Sequence, residues 1–285
     1  MTLKDAGTLA CPVCCGTLEF HGTLTAGMLL DGALRCTRCA RDWPVRDGLP
    51  RLVDEARVRR ADRFMRACYD WLAPLHDPMT RALFPPLQGT SEGATRDAYM
   101  RRLDLGGLRP AERGERRRIL EVGVGSGANL PLLDRDLPRD VDVELWGLDL
   151  SDAMLARCRP RLAEHPGHAL RLLVADAHAL PFPDASFDRV FHVGGIGGYG
   201  DPARGLAEMA RVARPDTPIV VVDEQLDPAS GESLFHRLVF RALTFYTTTP
   251  TSPVAHLPAG ATAVVSEQLS RYYYCLTFRM PGPEA

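Results

Sequence analysis

The sequence predicts an α/β protein: a doubly wound, mostly parallel sheet with an antiparallel C-terminal edge, preceded by a small cysteine-rich module. Three observations predict it. Between residues 118 and 226, apolar runs ending in Gly or Asp alternate with helix-patterned segments, the rhythm of a parallel sheet with crossover helices. The closing stretch "TAVVSEQLSRYYYCLTFRM" is rich in aromatic and β-branched residues and has no helix inside it, which reads as two antiparallel strands. Most of the cysteines crowd into the N-terminal stretch from Cys11 to Cys39, a clustering that points to a metal and not to a disulfide scaffold.

The elements follow in order. Residues 1–54 form the cysteine-rich module. Cys11-Pro-Val-Cys14 and Cys36-Thr-Arg-Cys39 make two well-separated CxxC knuckles. Each knuckle aims two thiolates at one ion, and two knuckles complete a tetrahedral four-thiolate site suited to structural zinc. Cys15 is a competing ligand, disfavoured by the spacing. A closed site leaves no open position for catalysis; its expected contribution is folding energy for a module too small for a proper core. A redox role for CxxC lacks the thioredoxin-like context it needs. Residues 55–110 are expected as a helical lead: a charged helix over "DEARVRRADRFMRACYDWLAPLHD", a loop over 85–95, and a helix over "RDAYMRRLDL".

Residues 111–285 carry the sheet. "RILEVGV" is a buried strand ending in glycine, and "ANLPLLDRDL" a helix with Pro131 near its start. "VELWGLDLS" is the second strand, and Ser151 can cap the helix "DAMLARCRPRLAEH". "LRLLVADAHAL" and "FDRVFHVGG" give the third and fourth strands, "PARGLAEMARVA" a helix and "TPIVVVDEQL" the fifth strand. "GESLFHRLVFRALTFY" is helix-like.

Hydrophobic residues make up 45% and charged residues 25% of the 285, with a net charge of −2; such a balance gives no global drive towards nucleic acid. No run approaches the roughly 20 apolar residues of a membrane span, and no signal peptide is evident, so the expected location is the cytoplasm.

The stretch "ILEVGVGSGANL" allows two cofactors. Gly123, Gly125 and Ala128 satisfy the GxGxx(G/A) turn that receives a dinucleotide such as NAD; Glu121, Gly123, Gly125 and Gly127 satisfy (D/E)xGxGxG. The neighbouring acids decide. Glu121 two residues before the first glycine helps a cation and repels a pyrophosphate, which favours S-adenosylmethionine. Asp149 ends the second strand, where a carboxylate can accept from both ribose hydroxyls of either cofactor. Asp176 ends the third, within reach of an adenine amino group.

The order of "ILEVGVGSGANL", "WGLDLSDAML", "LLVADAHALPFPDASFDRVFHV" and "GLAEMARVARPDTPIVVVDE" resembles the class I S-adenosylmethionine-dependent methyltransferases, a Rossmann-like fold, and within them the ubiquinone and menaquinone C-methyltransferase branch. The resemblance implies that Glu121, Gly123, Gly125, Gly127 and Asn129 surround the methionine part of the cofactor and Asp149 its ribose. Leu150 and Met154 would flank adenine, with Asp176 and Ala177 at its edge, and His192 and Val193 would line the donor end. The N-terminal module, through "LACPVC" and "LRCTRCARDWPVRDGLPRLV", resembles the small zinc-ribbon partner of tRNA and protein methyltransferases, which implies a zinc-ordered docking or substrate-contact module.

Methyl transfer from a sulfonium is an in-line displacement served by positioning and desolvation. A base is needed only if the nucleophile is protonated. His192, Tyr69 and His76 are the first candidates, with Tyr99, Tyr199 and Tyr246 behind them. The resemblance implies that the helix bearing Tyr69, Trp71 and His76 covers the cleft. Gly194, Gly195, Gly197 and Gly198 make a bent or flexible loop at its mouth. A small, partly hydrophobic acceptor suits "LFHRLVFRALTFYTTTP". An RNA methyltransferase gripping RNA through the ribbon would use the arginines of "RVRR" and "ERRR", but acids interleave throughout. A non-enzymatic binding or docking protein would require a broken cofactor motif, and this one is intact.

Overall fold

The computed structural model describes residues 1–111, 115–164, 170–230, 233–247 and 250–282, without the side chains of residues 76, 77, 79–86, 88, 92 and 163. A short helix α1 (Leu3–Ala6) opens the chain, followed by strands β1 (Leu18–Thr25), β2 (Met28–Cys36), β3 (Asp42–Arg46) and β4 (Leu49–Leu52). Two helices come next, α2 (Arg60–Gln88) and α3 (Glu92–Leu103). Then strands and helices alternate: β5 (Arg117–Val122), α4 (Leu130–Asp136), β6 (Val143–Asp149), α5 (Asp152–Glu164), β7 (Leu170–Ala175), β8 (Arg189–Val193), α6 (Pro202–Val212) and β9 (Ile219–Glu224). The chain closes with α7 (Leu234–Leu243), β10 (Thr262–Gln268) and β11 (Tyr273–Arg279).

Strands β5 to β9 run parallel, whereas β11 lies antiparallel to β9 and β10 to β11. The doubly wound sheet with an antiparallel edge is thus the architecture observed. Its order, β7-β6-β5-β8-β9-β11-β10, reverses between β5 and β8. At such a switch point the carboxyl ends of neighbouring strands part and leave a crevice for a ligand. Both faces of the central strands are covered, and successive side chains enter opposite cores. Leu120, Val122 and Leu148 join one apolar cluster; Ile119, Leu145 and Val174 join the other.

The ribbon is not a separate bead. β4 pairs in parallel with β7, Arg51 opposite Val174 and Leu52 opposite Ala175, so one eleven-stranded sheet runs across residue 54. Leu9, Cys11, Leu34, Cys36 and Trp43 share an apolar cluster with Trp146 and Phe182 of the second half. Polar ties reinforce the seam: Ala10 N–H donates to Pro181 O at 2.9 Å, and Arg171 pairs with Asp5 at 2.6 Å with both side chains largely buried.

The expected loop over 85–95 shrinks to residues 89–91. Gly89, at φ 73°, ends α2, and the Ser91 hydroxyl accepts from Ala94 N–H to start α3 four residues before the expected helix. Helix α7 is shorter than its apolar pattern suggested. Ser151 does cap α5, accepting from Met154 N–H at 3.1 Å.

Among the glycines of the β5–α4 turn, Gly127 is set by packing. Its φ is +76°, and a Cβ there would sit 2.6 Å from Cys158 Sγ on α5. Gly127→Ala is expected to cost roughly 2 kcal/mol from backbone strain and overpacking, read as a lowered Tm. A double-mutant cycle with Cys158→Ala checks the cause: additive losses would sink the packing explanation.

Candidate functional site

At the carboxyl ends of β5 to β9 lies a cavity of about 450 Å³. The turn after β5 forms its floor. Gly123 and Gly125 adopt φ of 72° and 54°, values that L side chains rarely take, and this brings backbone to the cavity surface. Glu121, the buried end of β5, lines the same wall. Asn129 donates from Nδ2 to Glu121 Oε1 at 2.6 Å, and Tyr99 on α3 donates to Asn129 Oδ1 at 2.6 Å. Burial pushes the Glu121 carboxyl up to about 8, against the Asn129 hydrogen bond. Its charged form is therefore short of a partner, which an incoming cation would supply.

Asp149 at the end of β6 accepts from Gly125 N–H at 2.9 Å and from Ser151 N–H at 2.8 Å. It ties the glycine turn to the start of α5. Burial raises it to about 6. Each carboxylate oxygen keeps a lone pair for a further donor. Leu150, Met154, Asp176, Ala177, His192 and Val193 also line the cavity. Gly127 does not appear on its wall; it faces Cys158 instead.

Asp176 accepts from both the backbone N–H and Nδ1 of His178, at 2.9 and 2.7 Å. Although burial opposes both shifts, this pair holds the Asp176 carboxyl below the usual range and the His178 imidazole above its own. The Tyr199 ring lies between His178 and His192, at 5.2 and 5.3 Å. His192 itself is buried. Its Nδ1 lies 2.7 Å from Val122 O, so Nδ1 carries the proton and the lone pair sits on Nε2. That atom has no hydrogen-bond partner among the described residues. Burial lowers the His192 pKa, and the ring is neutral.

The far wall is aromatic. Tyr69 and Leu72 come from α2, Phe245 and Tyr246 from the turn after α7, and Tyr273 from the start of β11. Asp70 holds α2 over the site by accepting from Ser151 Oγ at 2.5 Å. Tyr99 and Tyr199 line the cavity as well. The side chain of His76 lies outside the described residues.

Sequence reasoning missed the acids at the end of β9. Asp223 accepts from Gly195 and Gly197 N–H at 2.8 and 2.6 Å, and so pins the glycine loop in a tight turn. Glu224 enters the cavity and accepts from Tyr246 OH at 2.7 Å. Burial, with Asp223 beside it, pushes Glu224 well above the ordinary carboxylate range. Two acids ending a buried strand in "IVVVDE" were the available signal, the same position that marked Asp149.

In the ribbon, the sulfurs of Cys11, Cys14, Cys36 and Cys39 all lie within 4.8 Å of one another. Cys11 and Cys39 are 3.8 Å apart, Cys14 and Cys36 3.5 Å. A tetrahedral zinc with bonds near 2.3 Å spaces its sulfurs about 3.8 Å apart, so the four thiols fit that ion. Cys15, exposed at φ 58°, stands outside the group.

Three arginines of "ERRR" are engaged: Arg116 and Arg118 pair with Glu144, and Arg117 with Asp188. Arg57 pairs with Asp54 and Arg59 with Asp201. These positions do not build a free basic face for RNA. Among the described residues, no helix is long and apolar enough to cross a membrane.

Comparison with known proteins agrees with this geometry. Residues 120–221 match the family model described as "Methyltransferase domain". The chain is 34% identical over 170 residues to a demethylmenaquinone methyltransferase of Thermus thermophilus, covering 60% of this chain and 70% of that one. It is 39% identical over 109 residues to a phosphatidylethanolamine N-methyltransferase of Cereibacter sphaeroides, covering 37% of this chain and half of the other. A ubiquinone/menaquinone biosynthesis C-methyltransferase of Geobacter sulfurreducens is 30% identical over 174 residues, covering 61% and 62% of the two chains. Among solved structures, the [4+2]-cyclase SpnF superposes with a TM-score of 0.59 at 16% identity, over 79% of this chain and 98% of its own. That likeness speaks for the fold alone.

Proposed function

Because this chain belongs to the class I S-adenosylmethionine-dependent methyltransferases, in the branch of the ubiquinone and menaquinone C-methyltransferases, we propose that it methylates a small apolar acceptor with a hydroxylated ring, of the quinol type. The observation that carries the reading is a single cavity that joins the strand-end acids Glu121 and Asp149 to the aromatic wall of Tyr69, Tyr246 and Tyr273. The names of the relatives supply the quinol class; the wall supplies an apolar slot with few polar anchors, the usual form of such a site.

Within this reading, Glu121 meets the ammonium of S-adenosylmethionine and Asp149 its ribose hydroxyls. Leu150 and Met154 flank the adenine, with Asp176 and Ala177 at its edge. Among the described residues, the two arginines that line the cavity have partners of their own: Arg66 pairs with Glu55, and Arg96 donates to Ala128 O. That suits a cationic, phosphate-free ligand better than a dinucleotide. S-adenosylmethionine, when bound, supplies a methyl group already activated on sulfur. The protein's part is then to exclude water, orient the ring and manage one proton. Glu224, kept protonated and held by Tyr246, would donate a hydrogen bond to a ring oxygen. His192, with Nε2 unprotonated, is the candidate base, and Tyr69 closes the site from α2. His76 stays a candidate on the same helix.

We further infer that Cys11, Cys14, Cys36 and Cys39 hold a structural zinc ion. Free thiols of this kind suit a reducing compartment such as the cytoplasm.

Purified protein with methyl-labelled S-adenosylmethionine should label demethylmenaquinol and leave phosphatidylethanolamine unlabelled; the reverse would overturn the quinol assignment. Calorimetry should detect S-adenosylhomocysteine and no NADH, and binding of NADH alone would sink the methyl-transfer reading. Glu224→Ala is expected to lower turnover on the order of 100-fold, with Glu224→Gln retaining more activity because its amide still donates. Equal losses in the two variants would remove Glu224 from the chemistry.

A further inference from the structure

Among the described residues, exposed apolar side chains stand on the two helices, α2 and α7, whose other residues line the cavity. Phe64, Trp71 and Leu75 stand exposed on α2, at spacings of seven and four that place them on one stripe. Cys68, Tyr69 and Leu72, between them, face the cavity. On α7, Leu234, Phe235 and Leu238 point outward at 60–68% exposure. The opposite side of α7 is seated: Phe240 stacks on Tyr272 at 5.5 Å, and His236 Nδ1 lies 2.9 Å from the Tyr272 hydroxyl. Phe245 joins the two helices. It meets Phe64 edge-on at 6.5 Å, is itself exposed, and lines the cavity.

Among the described residues, basic side chains flank these stripes. Arg237 and Arg241 are exposed on α7, which contains no acidic residue. Arg60 and Arg63 are exposed at the start of α2. The nearby acids are occupied elsewhere: Asp62 accepts from Gly200 N–H and Asp70 from Ser151. Large contiguous apolar surface on a folded protein marks an interaction site. Aromatic and leucine side chains flanked by arginines, on helices with a seated inner face, have the chemistry of a helix lying in a lipid headgroup region. A second copy of this chain across a two-fold axis would bring like-charged arginines together.

We propose that this face docks the protein on an anionic lipid bilayer, with Trp71, Leu234, Phe235 and Leu238 among the acyl chains and Arg237 and Arg241 at the lipid phosphates. The cavity mouth then opens onto the membrane, and an apolar acceptor enters without crossing water. The purpose of the docking rests on the apolar-acceptor reading; the face itself does not.

Trp71 is a built-in reporter, since Trp43 and Trp146 are buried. Vesicles of equal parts phosphatidylcholine and phosphatidylglycerol should sediment the full-length protein and shift its tryptophan emission to the blue. Vesicles of phosphatidylcholine alone should bind more weakly, and salt should weaken the anionic case. Leu234→Asp with Leu238→Asp should lower the bound fraction roughly tenfold or more, with Tm and S-adenosylhomocysteine affinity unchanged. Trp71→Phe should still bind vesicles and lose the spectral shift. Failure of the wild type to bind anionic vesicles would overturn the proposal. So would concentration-dependent dimerisation that the double Asp variant abolishes, which would assign the face to a second copy. Vesicle binding without S-adenosylhomocysteine binding would leave the docking face standing and remove the methyl-transfer reading instead.

Discussion

Glu121→Gln is expected to weaken S-adenosylhomocysteine binding by roughly 30-fold, the size of one charge-assisted hydrogen bond, while raising the stability of the ligand-free protein near pH 8. Both effects have one cause. In the folded chain the Glu121 carboxyl keeps its proton to about pH 8, whereas its ordinary value is 4.5. Between those values the folded state binds more protons than the unfolded state. Stability is therefore full at low pH and falls as pH rises through the window, by on the order of 4 kcal/mol. Asp149, raised to about 6 from 3.8, acts in the same sense over a lower range. A cationic ligand reverses the preference, because it favours the charged carboxylate. Wild-type affinity should accordingly tighten between about pH 6 and 8 and binding should release protons, detectable by calorimetry in buffers of different ionisation enthalpy. The Gln variant, which keeps the shape and can still accept from Asn129, should lose the Glu121 share of that slope. Unchanged affinity in the variant, with the slope intact, would show that Glu121 does not meet the ligand's charge.

Metal removal is the second large effect, and the strand pairing changes what it should do. A ribbon hung on a linker would melt alone. Here β4 is hydrogen-bonded to β7, and the ribbon's Leu34 and Trp43 share a core with Trp146 and Phe182. Structural zinc in small modules contributes about 10–16 kcal/mol of apparent binding energy. Chelation, or Cys36→Ser, should then lower the Tm of the whole protein by roughly 10 °C or more in a single transition, as a loss of several kcal/mol would. It should also weaken S-adenosylhomocysteine at least several-fold, because Ala175, Asp176 and Ala177, at the end of β7, line the cavity. Two independent transitions, with cofactor affinity untouched, would refute this coupling.

Much of the cavity's strand-end wall was legible because its residues are local. Glu121, Gly123, Gly125, Asp149 and Asp176 each sit at the end of an apolar run inside a recognisable motif; Asp223 and Glu224 end β9 in the same way but stand outside any such motif. The aromatic wall is assembled by topology. Glu224 meets Tyr273 only because β9 and β11 pair antiparallel in register, and Tyr246 reaches Glu224 from beyond a different helix. His178 lies two residues past Asp176 and was hidden by being read as part of a strand. The four clustered cysteines were plain from spacing. The bond between β4 and β7 was not, since "LPRL" and "LRLLVA" lie far apart in the chain and carry no mark of partnership. Gly127 shows the converse: a motif position whose glycine is explained by a sulfur atom on a neighbouring helix.

The same pairing of β4 with β7 bears on how the chain avoids sticking to itself. β7 would otherwise be the outermost strand of the parallel sheet, with the row of backbone donors and acceptors that recruits stray strands from other molecules. Its side chains are buried except for the partly covered Arg171, so it carries little charge with which to repel them. The ribbon closes that margin and carries the sheet outwards into twisted hairpins whose exposed residues include Arg35, Asp42 and Arg46. A chain starting after Asp54 would keep every cofactor-motif residue, yet should aggregate during folding. The ribbon thus serves the enzyme first as a hem, sewn along an edge that would otherwise fray into its neighbours.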